Sequence, residues 1–200
     1  ERYDENGRLI QSDCWDDGKK HGRCERYELG EISAIQHYRR GKLHGLWETY
    51  SPRKVTLFHG HYVDGERDGW HIWRYSNNKT EAQYRYDRGA KTGNWRILYE
   101  NGQLMQEFSY ENDVRIGEER CYYENGVLAR VVPYKDGEVE GLCLEYHPNG
   151  KLERAIPCTL GVRDGFERYF DDSAKMHREV EWLDGIARSD LSILFKDHTR

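Results

Sequence analysis

The stretch that decides the fold is residues 38–50, which read Tyr-Arg-Arg-Gly-Lys-Leu-His-Gly-Leu-Trp-Glu-Thr-Tyr. It holds two glycines four positions apart, an aromatic residue three positions before the first glycine, and a tryptophan two positions after the second. The same spacing returns along the chain, and the second glycine recurs every 24 residues from Gly45 to Gly165. Periods of about 20 to 50 residues are typical of arrays in which each unit packs only on its neighbours.

We therefore interpret residues 1–200 as one array of about eight 24-residue repeats. The aromatic position before the first glycine is filled by Tyr or Trp in every repeat except one, where Cys158 stands. Asp113 replaces one first glycine, and Ser189 replaces one second glycine. The glycine segments are residues 18–22, 41–45, 65–69, 89–93, 113–117, 137–141, 161–165 and 185–189.

The sequence pattern predicts that each repeat forms a β-hairpin. Apolar residues alternate with polar ones after the turn position, as in Leu128, Val132 and Tyr134, which is typical of strands. Asn-Gly pairs such as 101–102 predict two-residue type I′ hairpin turns, and we expect the second strand to begin at the second glycine. The Gly-x-x-x-Gly segment is then expected to be a loop that joins one hairpin to the next. At this turn position two repeats have Arg53-Lys54 and Asn77-Asn78 instead, so we expect longer turns or another turn type there.

The predicted fold is all-β. Because a single hairpin is marginally stable in water, neighbouring hairpins must stack in sequence order to bury their aromatic residues. The sequence thus predicts an elongated, solenoid-like array of hairpins that forms a twisted antiparallel meander sheet.

Two segments carry a resemblance to a known family. Residues 38–50 and the segment Tyr122-Tyr-Glu-Asn-Gly-Val-Leu128 resemble the MORN-repeat variant, whose pattern is Y-x-x-G-x-x-x-G-x-W-x-x-Y-x-x-N-G-x-L. Proteins of this type include bacterial antitoxin-like and immunity-like proteins and multi-repeat proteins of large DNA viruses. The resemblance implies a β-hairpin array that binds proteins, or lipids in some members, and it implies no catalytic residue set.

Composition disfavours several classes of function. The net charge is −5, from 31 basic and 36 acidic residues that are interspersed, so we expect no nucleic-acid partner. No apolar run approaches the roughly 20 residues of a membrane helix. Membrane association is disfavoured because the sequence has no basic cluster. The five cysteines include no Cys-x-x-Cys pair, and we expect an intracellular, cytoplasmic protein.

Candidate chemistry is sparse. His59 and His61 flank Gly60 on one face of a predicted strand, a spacing that suits two metal ligands, and His71 is a possible third across the hairpin. A structural role is the favoured interpretation of these histidines. The cysteines fall on structural positions of the repeat, so we expect no enzyme activity, no metal and no cofactor.

The predicted function is a non-enzymatic scaffold for protein–protein interaction. Aromatic residues beyond the repeat pattern, with an arginine among them, have the composition of a binding hot spot. The alternative is that these extra rings pack against the sheet. An antitoxin or immunity role and a lipid-associated role are the other functions considered, and self-association through the sheet edges at 1–3 and 191–195 is a further expectation. The candidate partner-binding residues are Trp70, His71, Trp73, Arg74, Tyr75 and Tyr84.

Overall fold

A computed structural model describes residues 1–192, and these residues form strands and turns without a helix. The chain divides into two compact units, residues 1–102 and a second unit that begins at Gln103. The all-β prediction is confirmed. The predicted final strand at 191–195 lies outside the described residues from position 193 onward.

The first unit is an antiparallel meander in which β2 pairs with β5, and each strand from β5 to β11 pairs with the next. β1 pairs with β2, and β3 pairs with β4 as a separate two-stranded sheet. The strands are β1 (Arg2–Tyr3), β2 (Leu9–Ser12), β3 (Trp15–Asp16), β4 (Lys19–Lys20), β5 (Gly22–Glu28), β6 (Glu31–Arg39), β7 (Lys42–Tyr50), β8 (Thr56–Val63), β9 (Glu66–Arg74), β10 (Thr80–Asp87) and β11 (Ala90–Leu98).

The second unit is built in the same way. Two of its hairpin arms are interrupted one residue before the second glycine, so that β15 with β16, and β18 with β19, each act as one arm. The strands are β12 (Leu104–Glu111), β13 (Val114–Tyr122), β14 (Leu128–Lys135), β15 (Glu138–Val139), β16 (Gly141–Tyr146), β17 (Leu152–Thr159), β18 (Val162–Arg163), β19 (Gly165–Phe170), β20 (Met176–Leu183) and β21 (Ile186–Ser192).

The two-residue type I′ turns lie at the first glycine, not at Asn-Gly as predicted. Arg40 and Gly41 both have positive φ, 49° and 85°, and the flanking residues Arg39 and Lys42 are paired. Type I′ turns require positive φ at both central positions and match the twist of the strands that they join. The Gly-x-x-x-Gly segment is therefore the tip of a hairpin and part of its second arm, and the prediction that it links separate hairpins is wrong.

In four of the repeats, those of β7, β9, β11 and β13, the second glycine lies inside a strand. β7 begins at Lys42 and passes through Gly45, where φ is 103°. Residues 44–46 oppose the single residue His37, because Gln36 pairs with Trp47 while Tyr38 pairs with Leu43. This is a β-bulge, which bends a strand and needs glycine where φ is positive. The expectation that the second strand starts at this glycine is therefore wrong for β7, whereas β5, β16 and β19 do begin at Gly22, Gly141 and Gly165.

The Asn-Gly positions form three-residue loops. In the loop after Tyr123, the amide of Gly126 donates to the carbonyl of Tyr123 at 2.8 Å, and only the glycine has positive φ. This pattern matches a type I turn followed by a left-handed residue. Lys54 and Asn78 adopt the same left-handed conformation, with φ of 61° and 68°. The expectation of longer or different turns in those repeats is therefore wrong.

Successive hairpin tips are joined by backbone hydrogen bonds. In the first unit the amide of Gly65 donates to the carbonyl of Leu43 at 2.7 Å, and the amide of Gly89 donates to that of Arg67 at 2.8 Å. In the second unit Gly161 donates in the same way to Val139 at 2.9 Å. These bonds recur with the repeat, so each tip is held by the one before it.

Candidate protein-binding surface of the first unit

One face of the first unit carries a continuous set of aromatic side chains, which we call the aromatic face. Its centre is His71, whose side chain is 0% exposed. The imidazole lies 5.1 Å from the rings of both Tyr62 and Tyr86, measured between centroids, and 5.7 Å from that of Phe58. His71 occupies the position two residues after the second glycine, where the neighbouring repeats have tryptophan.

Gly60 makes room for this histidine. Gly60 pairs with His71 across β8 and β9. A Cβ atom at position 60 would lie 2.6 Å from His71 Nδ1 and 2.6 Å from Phe58 Cζ, closer than real Cβ atoms approach. The absence of a side chain on Gly60 is thus what allows the imidazole to pack against the sheet.

The chemical state of His71 follows from its surroundings. His71 Nε2 lies 2.9 Å from the carbonyl oxygen of His61, and because a carbonyl only accepts, Nε2 carries the proton. Burial lowers the pKa of His71 to about 4, chiefly because a charged ring would lose its solvation. The imidazole is therefore neutral at neutral pH.

Beside His71 the aromatic face forms a groove. Trp47 on β7 and Trp73 on β9 flank the buried ring of Phe58 on β8, with centroid distances of 5.5 Å and 4.8 Å. The two tryptophans are partly exposed. The groove is lined by Trp47, Thr49, Leu57, Phe58, Tyr62, Arg67, Trp73, Arg74 and Glu81.

Tyr86 holds the side chain of Arg67, which lines the groove. The Arg67 guanidinium lies 5.1 Å from the ring centre of Tyr86 and donates to its hydroxyl at 2.8 Å. Such a cation–π contact with a second hydrogen bond holds a long side chain in one orientation. The groove therefore combines rigid rings with charged groups whose positions are set by the sheet.

The structure divides the six candidate binding residues between the two faces. His71, Trp73 and Tyr84 lie on the aromatic face, where Tyr84 stacks on Trp95 at 4.3 Å. Trp70 lies on the opposite face, is 45% exposed, and has the Arg85 guanidinium 5.9 Å from its ring centre.

The other two candidates lie near the loop after β9. Arg74 lines the groove, whereas the hydroxyl of Tyr75 donates to the carbonyl of Leu98 at 2.8 Å and so joins two neighbouring repeats. Of the six candidates, only Trp73 and Arg74 line the groove.

The histidines do not gather into a metal site. His59 and His61 lie on the face opposite His71, next to Glu48 and Asp68 respectively, with nitrogen–oxygen distances of 3.3 Å and 3.7 Å. His71 is therefore not placed to supply a third ligand beside His59 and His61. Within residues 1–192 no group of three or more His, Cys, Asp or Glu side chains is placed to hold a metal ion.

Sequence reasoning missed several groove residues. Phe58, Arg67 and Glu81 stand at variable positions of the repeat, and nothing in the one-dimensional pattern singles them out. They line the same groove as Trp47 because the cross-strand registers bring neighbouring repeats together. One groove residue was recognisable in the sequence: Trp47 stands at the tryptophan position of the repeat pattern.

Three consecutive segments, residues 91–112, 115–136 and 139–157, match the family model of the MORN repeat variant. These segments are MORN repeats. The predicted resemblance is confirmed over this part of the chain. MORN repeats are generally non-enzymatic modules that bind proteins or lipids. No curated protein matches the chain.

The groove lies N-terminal to the matched MORN repeats, in repeats of the same spacing. It is built by residues 47–81, where histidine replaces tryptophan at position 71 and glycine stands opposite it at position 60. The groove is thus a local variation on the 24-residue repeat of this chain. In the described part of the chain, no helix has the length and apolar character needed to cross a bilayer.

Proposed function

We propose that this chain is a non-enzymatic protein-interaction scaffold whose partner binds along the aromatic groove of the first unit. The observation that carries the proposal is the pair of partly exposed tryptophans, Trp47 and Trp73, held on either side of buried Phe58. Tryptophan, tyrosine and arginine are enriched among the residues that dominate the binding energy of protein interfaces. The two aromatic residues offer large contact areas with few rotatable bonds.

The surroundings of the groove favour a polypeptide ligand. Arg67 and Arg74 contribute positive charge and Glu81 contributes negative charge, so that the two signs flank one apolar surface. Charges of both signs around an apolar centre orient a partner and reject mismatched ones, while the rings supply the contact area. Because the rings already pack on one another, little conformational freedom is lost when a partner binds.

An enzymatic role finds no support in this groove. The imidazole of His71, the one histidine on the aromatic face beside the groove, is fully buried. In addition, His71 Nε2 already donates a hydrogen bond to the backbone carbonyl of His61. A general base must reach the proton that it abstracts, and this ring does not reach the groove surface.

The test is affinity capture from the native host with three forms of the chain. Trp73→Ala removes one wall of the groove, and Trp70→Ala is the matched control because it removes the same side chain from the opposite face of the same strand. Circular dichroism establishes that each form is folded. We expect a stoichiometric protein to be captured by the wild type and the Trp70→Ala form, and lost with Trp73→Ala.

Equal capture by all three forms would show that the groove is not the binding surface. Loss with Trp70→Ala alone would move the site to the opposite face. If the captured protein is toxic when expressed alone and harmless together with this chain, the scaffold acts as an antitoxin. We place the complex in the cytoplasm, where the five free thiols would remain reduced.

A further inference from the structure

The second unit carries an apolar patch on the face opposite its core. The core cluster of this unit consists of Val132, Cys143 and Ile156. Residues adjacent to these along each strand point to the other side of the sheet. There the cross-strand pairs Leu142–Pro157, Val131–Leu144 and Leu144–Ala155 place apolar side chains together, with Pro133 and Phe166 beside them. We call this set the apolar patch: Val131, Pro133, Leu142, Leu144, Ala155, Pro157 and Phe166.

The exposed part of the patch is formed by Leu142 and Phe166, whereas Val131 and Ala155 are buried, with 8% and 9% exposure. Leu142 is 50% exposed and Phe166 is 47% exposed, and both stand directly after a second glycine. At the same repeat position the chain has Arg23, Asn94 and Glu118 elsewhere. The fold therefore accepts polar side chains at this position, and apolar ones are not needed to form the sheet. Contiguous exposed apolar surface rimmed by polar residues marks interaction sites.

Ion pairs border the patch on both sides. On β13, Arg120 donates to Glu118 at 2.6 Å, and on the far side the Arg168 guanidinium donates to Glu179 on β20 at 2.8 Å. Each border thus contains both signs of charge, and the second border also includes Glu181, which pairs with Phe166. A surface that meets its own copy must not be dominated by one sign of charge, because like charges would face each other across a two-fold axis.

We propose that this face binds a second copy of the chain, with the apolar patches of two molecules packed against each other. The balanced borders favour a self-complementary contact over a strongly charged partner. The inference does not depend on the aromatic groove, which belongs to the first unit.

The size of the face is typical of a weak, transient dimer. The six hairpin arms from β13 to β20 span about 24 Å at about 4.8 Å per strand, and six residues of strand span about 20 Å. The face therefore offers about 500 Å² in projection, below the roughly 800 Å² per partner of a standard interface. We infer an association in the micromolar range, with monomer at high dilution.

Sedimentation equilibrium of the full chain from about 1 to about 300 µM tests the proposal, because this range brackets a micromolar dissociation constant. The wild type is expected to pass from monomer to dimer across the range. Leu142→Asp, which places a charge at the centre of the patch, is expected to raise the dissociation constant at least tenfold. The matched control is Leu160→Asp, since Leu160 is 72% exposed in a turn outside the patch.

A wild type that remains monomeric throughout would overturn the proposal, and so would a dimer that is insensitive to Leu142→Asp but weakened by Leu160→Asp. Phe166→Ser is a second, milder variant at the other exposed position, and it serves if the aspartate variant fails to fold by circular dichroism. Capture of a different protein through this patch by a monomeric chain would also overturn it, because the occupant would then not be a second copy.

Discussion

The contact between Gly60 and His71 yields a sharp prediction about stability. Gly60 does not have positive φ, so an alanine there meets no backbone strain. Its Cβ would instead lie 2.6 Å from His71 Nδ1 and 2.8 Å from His71 Cε1. Overpacking of this kind costs about 1 to 3 kcal/mol. Replacing a strand glycine recovers about 0.5 to 1 kcal/mol of chain entropy. We therefore expect Gly60→Ala to lower the free energy of unfolding by about 1 to 2 kcal/mol.

A double-mutant cycle isolates the cause. In the His71→Ala background the imidazole is gone, and the Phe58 ring has space to shift away from the new methyl group. Gly60→Ala should then be nearly neutral, which gives a coupling energy of about 1 to 2 kcal/mol. Urea unfolding followed by tryptophan fluorescence is the assay, because five of the six tryptophans lie in the first unit.

Gly69→Ala is the matched control. A Cβ at position 69 meets nothing within 4 Å, but the residue has φ of 71°. Its cost comes from the backbone, about 1 to 2 kcal/mol, and should be the same with or without the histidine. If Gly60→Ala costs as much in the His71→Ala background as in the wild type, the steric explanation of Gly60 is refuted.

Three further predictions concern stability. Because the pKa of His71 falls to about 4 in the folded protein, the unfolded chain takes up the proton first as the pH drops. The free energy of unfolding should then fall as the pH drops from about 6.5 to 4, by up to about 1.4 kcal/mol per pH unit. Urea titrations at a series of pH values should show that the unfolding free energy of His71→Phe depends less steeply on pH. Ala174 is held at φ of 67°, so Ala174→Gly should stabilise the second unit by about 0.5 to 1 kcal/mol in calorimetry; an unchanged melting temperature would contradict this. Glu167 is 0% exposed and lies 3.3 Å from Arg163 and 3.6 Å from Arg154. Glu167→Ala should cost about 2 to 3 kcal/mol in thermal melts, with Glu167→Gln costing less because it keeps the volume.

The strand content of the chain was predictable because it depends on local pattern. The 24-residue spacing, the alternation after each turn and the glycines at fixed positions all reflect how a single hairpin is built. The turn types were not predictable in the same way. Asn-Gly is common both in two-residue turns and in three-residue loops, and only the pairing of the strands decides between them. Leu160-Gly161 forms a type I′ turn although leucine is a poor residue for positive φ, because the tip is held by its neighbours.

The candidate surface was predictable only in part. Trp73 and Arg74 were identified from the density of aromatic residues in one repeat, and they line the groove. Trp70 was grouped with them, yet strand alternation places it on the opposite face. The groove also needs Trp47 on β7 and Phe58 on β8, which come from other strands. Their contact depends on cross-strand register, which a bulge at each second glycine shifts.

By itself, the sequence determined the β class, the 24-residue unit and the resemblance to MORN repeats, because these are properties that one repeat carries within its own residues. The tertiary structure decided which side chains share a face. It placed His71 over Gly60, separated Trp70 from Trp73, and gathered Leu142 and Phe166 into one apolar patch. The relations of His71 to Gly60 and of Leu142 to Phe166 join residues 11 and 24 positions apart, and they follow from bulges and turn lengths that set the register of each strand on the next.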